Sequence, residues 1–133
     1  MEFRGLLLDY AGVLDEPVGN GHASLLDVAG RVRAVGIRTG IVSNARSIAD
    51  PGLVDRFDAV VLSGEVRVAK PNPEVFRLAA QRIGVDPSEC VFVDDLPANV
   101  AGAVEAGMVG VRHRGVRSTI EELEVLFGLD LAH

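Results

Sequence analysis

The chain has 133 residues, enough for one domain with its own core, and its 48% hydrophobic and 24% charged residues are those of a globular protein. A net charge of −6 argues against nucleic acid or an anionic membrane as partner, and an anionic substrate would need a cation to approach. The single Cys90 excludes an internal disulfide. No run approaches membrane-spanning length and no leader pattern is present, so a cytoplasmic location is expected.

Leu6, Leu7 and Leu8 are apolar on successive positions, so a strand there must be buried on both faces, as in the centre of a parallel sheet. Asp9 follows at its carboxyl end, where open α/β sheets bind ligands. Residues 15–21, rich in Gly, Pro and Asn, predict a loop or tight hairpin. Leu25, Val28, Ala29, Val32 and Val35 have helical spacing, and Gly36 is a stop. A second strand is predicted from Ile37 to Val42, ending on Ser43-Asn44. A helix is expected after Ala45, interrupted or ended at Pro51-Gly52, and a third strand from Ala59 to Leu62.

Lys70-Pro71-Asn72-Pro73 leads into the next helix, with Asn72 as N-cap and Pro73 at the first helical position. Val75, Phe76, Ala79, Ala80 and Ile83 form its apolar face, and Gly84 ends it. Val91 to Val93 predicts a fourth strand ending on Asp94-Asp95, Pro97 to Ala106 a helix, and Met108 to Val111 a fifth strand. Arg112, His113 and Arg114 read as a solvated loop. Ser118 and Glu121 make a capping-box pattern for a last helix through Phe127. This alternation predicts an α/β fold, a three-layer α/β/α Rossmann-like parallel sheet of about five strands, as a single domain over residues 1–133.

Polar residues fall at the strand ends, which a parallel sheet gathers on one edge. Asp9, Asp94 and Asp95 would bring three carboxylates together. Carboxylates that close repel, and a divalent cation with oxygen ligands, Mg²⁺, relieves this. Ser43 and Asn44 stand at a strand-to-helix turn suited to phosphate oxygens. Lys70 is the only Lys in the chain and could hold both a phosphate and Asp9.

Taken in order, these segments resemble the haloacid dehalogenase superfamily of phosphohydrolases and relatives. Leu-Leu-Leu-Asp9-Tyr-Ala11-Gly12-Val-Leu resembles its first motif, Ile-Val-Ser43-Asn44 its second and Lys70-Pro71-Asn-Pro its third. Val-Phe-Val-Asp94-Asp95, followed by an Ala-x-x-Ala-Gly stretch ending at Gly107, resembles its fourth. The resemblance spans about Phe3 to Val111. It implies Asp9 as the nucleophile that accepts a phosphoryl group, with Mg²⁺ held by Asp9, the Ala11 carbonyl, Asp95, and Asp94 directly or through water. Ser43, Asn44 and Lys70 would bind the phosphoryl oxygens, Lys70 serving catalysis as well.

Two departures from the family pattern stand out. Hydrolases of the family usually carry a second Asp where this chain has Ala11, and that Asp serves as acid and base. Asp15, Glu16 and His22, near the following loop, read as solvated, although His22 titrates in the right range to replace it. The chain also lacks room for a cap domain, which resembles the capless branch. The expected function is a Mg²⁺-dependent phosphohydrolase weakened by Ala11; the alternative is a catalytically silent module that binds Mg²⁺ and a phosphorylated ligand. The expected partner is a small phosphorylated molecule or a phosphoprotein, and an uncapped site in an apolar chain predicts a homodimer.

Overall fold

Leu6, Leu7 and Leu8 are all buried, as a strand covered on both faces requires. They belong to β1 (Gly5–Leu8), which pairs in parallel with β2 (Arg38–Ser43) on one side and β4 (Cys90–Asp94) on the other. β3 (Ala59–Leu62) and β5 (Val109–Arg112) extend the sheet outward, giving the all-parallel order β3-β2-β1-β4-β5. The computed structural model describes residues 2–16, 18, 23–48 and 50–132; His22 lies outside them.

Alternation along β1 feeds two cores. Leu6 and Leu8 join Val28, Val32, Ile41 and Leu123, while Leu7 joins Val42, Phe76, Phe92 and Ala103. The first face is covered by α1 (Leu25–Ala34) and α6 (Val116–Phe127), the second by α4 (Pro73–Ile83) and α5 (Pro97–Glu105). Short helices α2 (Pro51–Val54) and α3 (Ser63–Val66) flank β3. The result is the expected three-layer α/β/α sandwich. The chain winds outward from β1 through β2 to β3, then returns to place β4 on β1's other side. That reversal opens a crevice at the carboxyl ends of β1 and β4, the place where such sheets bind ligands.

The start of α4 follows its sequence signals: Asn72 Oδ1 accepts from Glu74 N at 3.0 Å, Pro73 occupies the first turn, and Gly84 closes the helix at φ +74°. Three expectations fail for identifiable reasons. Among the described residues from Ala45 to Asp50 no helix forms: Ser43 Oγ accepts the Ala45 N–H and the Asn44 amide is engaged with Lys70. Pro51 starts a helix instead of ending one, with Asp50 capping Gly52 N and Leu53 N. α6 begins at Val116, ahead of the Ser118–Glu121 pattern, and Ser118 Oγ donates to Gly115 O from within the helix. The Thr119 side chain is bonded to His113, which fixes the first turn further upstream.

Candidate active site

β1 delivers Asp9 to the crevice. Its N–H continues the ladder to Val93 O at 3.0 Å, so its position is set by both central strands. Asp9 Oδ1 accepts from Tyr10 N at 2.9 Å and from Lys70 Nζ at 2.8 Å, leaving Oδ2 without a donor among the described residues. Burial raises the carboxyl above its ordinary value, and the hydrogen bond and charge of Lys70 work against that rise.

Lys70 reaches the crevice from the loop before α4. Its ammonium lies 2.8 Å from both Asp9 Oδ1 and Asp94 Oδ2, and 5.5 Å from the centre of the Phe92 ring. Asn44 holds the Lys70 backbone at both ends, accepting from Lys70 N at 2.9 Å and donating to Lys70 O at 3.2 Å. The Asn44 side chain therefore positions Lys70. The Lys70–Pro71 peptide is cis, and α5 packs hard against it at Gly102. A Cβ on Gly102 would stand 2.1 Å from Pro71 O, so only glycine permits this approach. Ser43 ends β2 on the same edge, buried, with its Oγ in the turn to Ala45.

Asp94, at the end of β4, is fully buried and fully bonded. Its Oδ2 accepts from Lys70 Nζ and from Asn99 Nδ2 at 3.1 Å, and its Oδ1 accepts from Leu96 N at 3.0 Å. Asp95 is more open, and its carboxyl is pushed up by burial and then by the Asp94 carboxylate beside it. Asp9, Asp94 and Asp95 each place a carboxylate oxygen within 4.8 Å of the others. Three carboxylates face a single ammonium, a surplus of negative charge that an oxygen-loving divalent cation would neutralise. The donor set thus fits Mg²⁺. Ala11 lies beside it in ordinary extended backbone (φ −68°, ψ 128°) with its side chain exposed.

Four residues extend the site beyond the sequence reading. Asn99 looks like a helix residue in sequence, yet it folds back on Asp94. His113 is not solvated: it is 5% exposed, its Nδ1 lies 2.7 Å from Thr119 Oγ1, and its Nε2 bonds the Glu16 carboxylate. Glu16, read as a solvated loop residue, is thereby tied to β5's far end. A shallow cleft lined by Gly12, Asp15, Glu16, Asp95, His113 and Arg114 continues outward from the cluster.

Comparison with known proteins identifies the family to which this fold belongs. The family model for haloacid dehalogenase-like hydrolase matches residues 22–107. Glyceraldehyde 3-phosphate phosphatase of Methanopyrus kandleri is 38% identical over 101 residues, covering 71% of this chain and 42% of that protein. The chain spans less than half the length of the first curated relatives it matches. Among solved structures, an uncharacterized protein of Corynebacterium glutamicum superposes with a TM-score of 0.86 at 36% identity, over 96% of this chain and 97% of that one. HAD family enzyme BT-2542 of Bacteroides thetaiotaomicron, in complex with magnesium and inorganic phosphate, superposes with a TM-score of 0.57 at 26% identity, over 68% of this chain and 51% of its own. With the family model matching more than half of its length, the chain belongs to the haloacid dehalogenase-like hydrolases.

Proposed function

We propose that this chain is a Mg²⁺-dependent hydrolase of small phosphate esters, with Asp9 as the nucleophile. The observation that carries the reading is the environment of Asp9. It is a buried carboxylate with one oxygen fixed by Lys70 and Tyr10 and the other left without a protein donor, beside Asp94 and Asp95. Mg²⁺ bound by Asp9, Asp95, the Ala11 carbonyl and Asp94 (directly or through water) would neutralise phosphoryl charge. Asp9 Oδ2 attacks phosphorus in line, a P–O bond to Asp9 forms, and the ester P–O bond breaks with its electron pair leaving on the alcohol oxygen. Lys70, and Ser43 with the Asn44 backbone, would hold the phosphoryl oxygens, while the Asn44 side chain keeps Lys70 aimed. Water then cleaves the aspartyl phosphate and regenerates Asp9.

Ala11 supplies no proton to the departing oxygen, so activity should be confined to esters with good leaving groups, such as aryl and acyl phosphates. The same residue favours a second reading, a module that binds Mg²⁺ and a phosphorylated ligand without turnover. The phosphatases among its relatives support small phosphorylated substrates over a macromolecular partner. An aryl phosphatase assay with and without Mg²⁺, beside Asp9→Asn, separates the readings: Mg²⁺-dependent release that Asp9→Asn abolishes supports the hydrolase. Mg²⁺ binding without release supports the module. In either case millimolar Mg²⁺ should raise the melting temperature, and Asp95→Ala should cancel the rise.

A further inference from the structure

Three parts of the fold meet at His113. Its ring is bonded to Thr119 on α6 and to Glu16, and its backbone N–H donates to Asp94 O at 2.8 Å. Glu16 closes the turn that follows Asp9. That turn is bonded within itself: Asp15 N to Tyr10 O at 3.3 Å, Glu16 N to Val13 O at 3.4 Å, and Gly12 N to Asp15 Oδ1 at 2.7 Å. Val13 anchors it through apolar packing. Among the described residues, its polar attachment to the rest of the protein beyond Asp9 is the Glu16–His113 bond.

The turn touches the carboxylate cluster directly. Gly12 takes φ +78°, and a Cβ there would stand 2.6 Å from Asp95 Oδ2. A shift of the turn therefore moves the Ala11 carbonyl and the space open to Asp95 together. His113 and Thr119 are 5% and 1% exposed, and a buried imidazole or hydroxyl without its partner is costly. The pair accordingly holds Glu16 firmly, and Glu16 carries the turn with it.

We propose that Glu16, gripped by the buried His113–Thr119 pair, is a positioning residue. It holds the Tyr10–Asp15 turn against Asp95 and so sets the affinity of the carboxylate cluster for a divalent cation. The inference rests on the metal reading above. It goes further, by assigning work to three residues outside the motif positions.

The test is calorimetric titration with Mg²⁺ alone on the wild type, Glu16→Ala and Glu16→Gln, with metal-free melting temperatures alongside. Tyr10 is the only tyrosine and the chain has no tryptophan, so tyrosine fluorescence anisotropy reports on the turn itself. Glu16→Ala should weaken Mg²⁺ binding by about 10-fold, the lower end for groups that orient metal ligands, and should lower Tyr10 anisotropy. Glu16→Gln removes the charge but keeps a hydrogen-bonding partner for the ring, and should bind Mg²⁺ like the wild type. Wild-type affinity in Glu16→Ala would overturn the proposal. Equal losses in Glu16→Ala and Glu16→Gln would also overturn it, since that pattern belongs to a charge effect without positioning. A wild type that binds no Mg²⁺ would defeat the metal reading and this inference together.

Discussion

Lys70 Nζ and Asp94 Oδ2 stand 2.8 Å apart in a pair that solvent barely reaches, with side-chain exposures of 2% and 0%. Removing one member of a buried pair strands the other charge, at a cost of about 3–5 kcal/mol. Lys70→Met keeps the side-chain volume and removes the ammonium from between Asp9 and Asp94. Urea unfolding should show it destabilised by about that amount in the absence of metal. A loss below about 1 kcal/mol, the range of surface pairs, would mean that the pair is solvated in practice.

Two helical glycines should respond to alanine with opposite signs. At Gly30, in α1, a Cβ would meet nothing within 4 Å, so Gly30→Ala should stabilise by about 0.5–1 kcal/mol through helix propensity. At Gly102, in α5, a Cβ would meet Pro71 O at 2.1 Å. Gly102→Ala should cost about 1–3 kcal/mol from overpacking and displace the loop that aims Lys70. Thermal melts of both variants test the stability arm. Aryl phosphatase activity should fall in Gly102→Ala and hold in Gly30→Ala.

The elements that could be read from sequence are those whose signals are local. Leu6–Leu8 had to be a doubly covered strand, Asn72-Pro73 had to start a helix, and polar residues after apolar runs had to meet on one sheet edge. The missed features depend on where individual side chains turn, which no periodicity records. Ser43 and Asn44 spend their polar groups on a turn and on the Lys70 backbone, 26 residues away from Asn44, so the helix expected after Ala45 does not form. Glu16 and His113 lie 97 residues apart and share no periodicity, so nothing local distinguishes a buried His113 from a solvated one. Asn99 stands only five residues beyond Asp94, but it has the sequence context of an ordinary first-turn residue, and nothing in that context aims its amide at the Asp94 carboxylate.

At the start of α1, Ser24 and Asp27 form a reciprocal cap: Ser24 N donates to Asp27 Oδ2 at 2.9 Å, and Asp27 N donates to Ser24 Oγ at 3.1 Å. Ser24→Ala should cost about 1 kcal/mol at neutral pH. The Ser24 backbone N–H, then its hydroxyl, hold the Asp27 carboxyl below its ordinary 3.8. A carboxyl that binds its proton less tightly when folded adds stability above the unfolded value and loses it as pH falls through the folded one. The stability gap between wild type and Asp27→Ala should therefore be full above pH 3.8 and shrink below it. A gap that stays constant into strong acid would show that the charge of Asp27 plays no part.

The exposed side chain of Ala11 leaves ordinary extended backbone next to the carboxylate cluster. Any residue adopts such a conformation, so Ala11→Asp should fold without backbone change. The added carboxyl would protonate the departing alcohol and then activate water, a contribution of about 10²–10⁴-fold at most. Alkyl phosphates need that proton most and aryl phosphates least, so the gain should be selective for the alkyl ester. The gain should fall below that ceiling, because an open cleft holds its substrate loosely. The measurement compares alkyl and aryl phosphate hydrolysis by the wild type and Ala11→Asp at saturating Mg²⁺. A selective rise for the alkyl ester would mean that Asp9, Lys70 and Asp95 are assembled for turnover and lack only a proton donor. Background rates for both esters in both variants would sink the hydrolase reading and leave a binding module, since supplying the missing acid would then have nothing to assist.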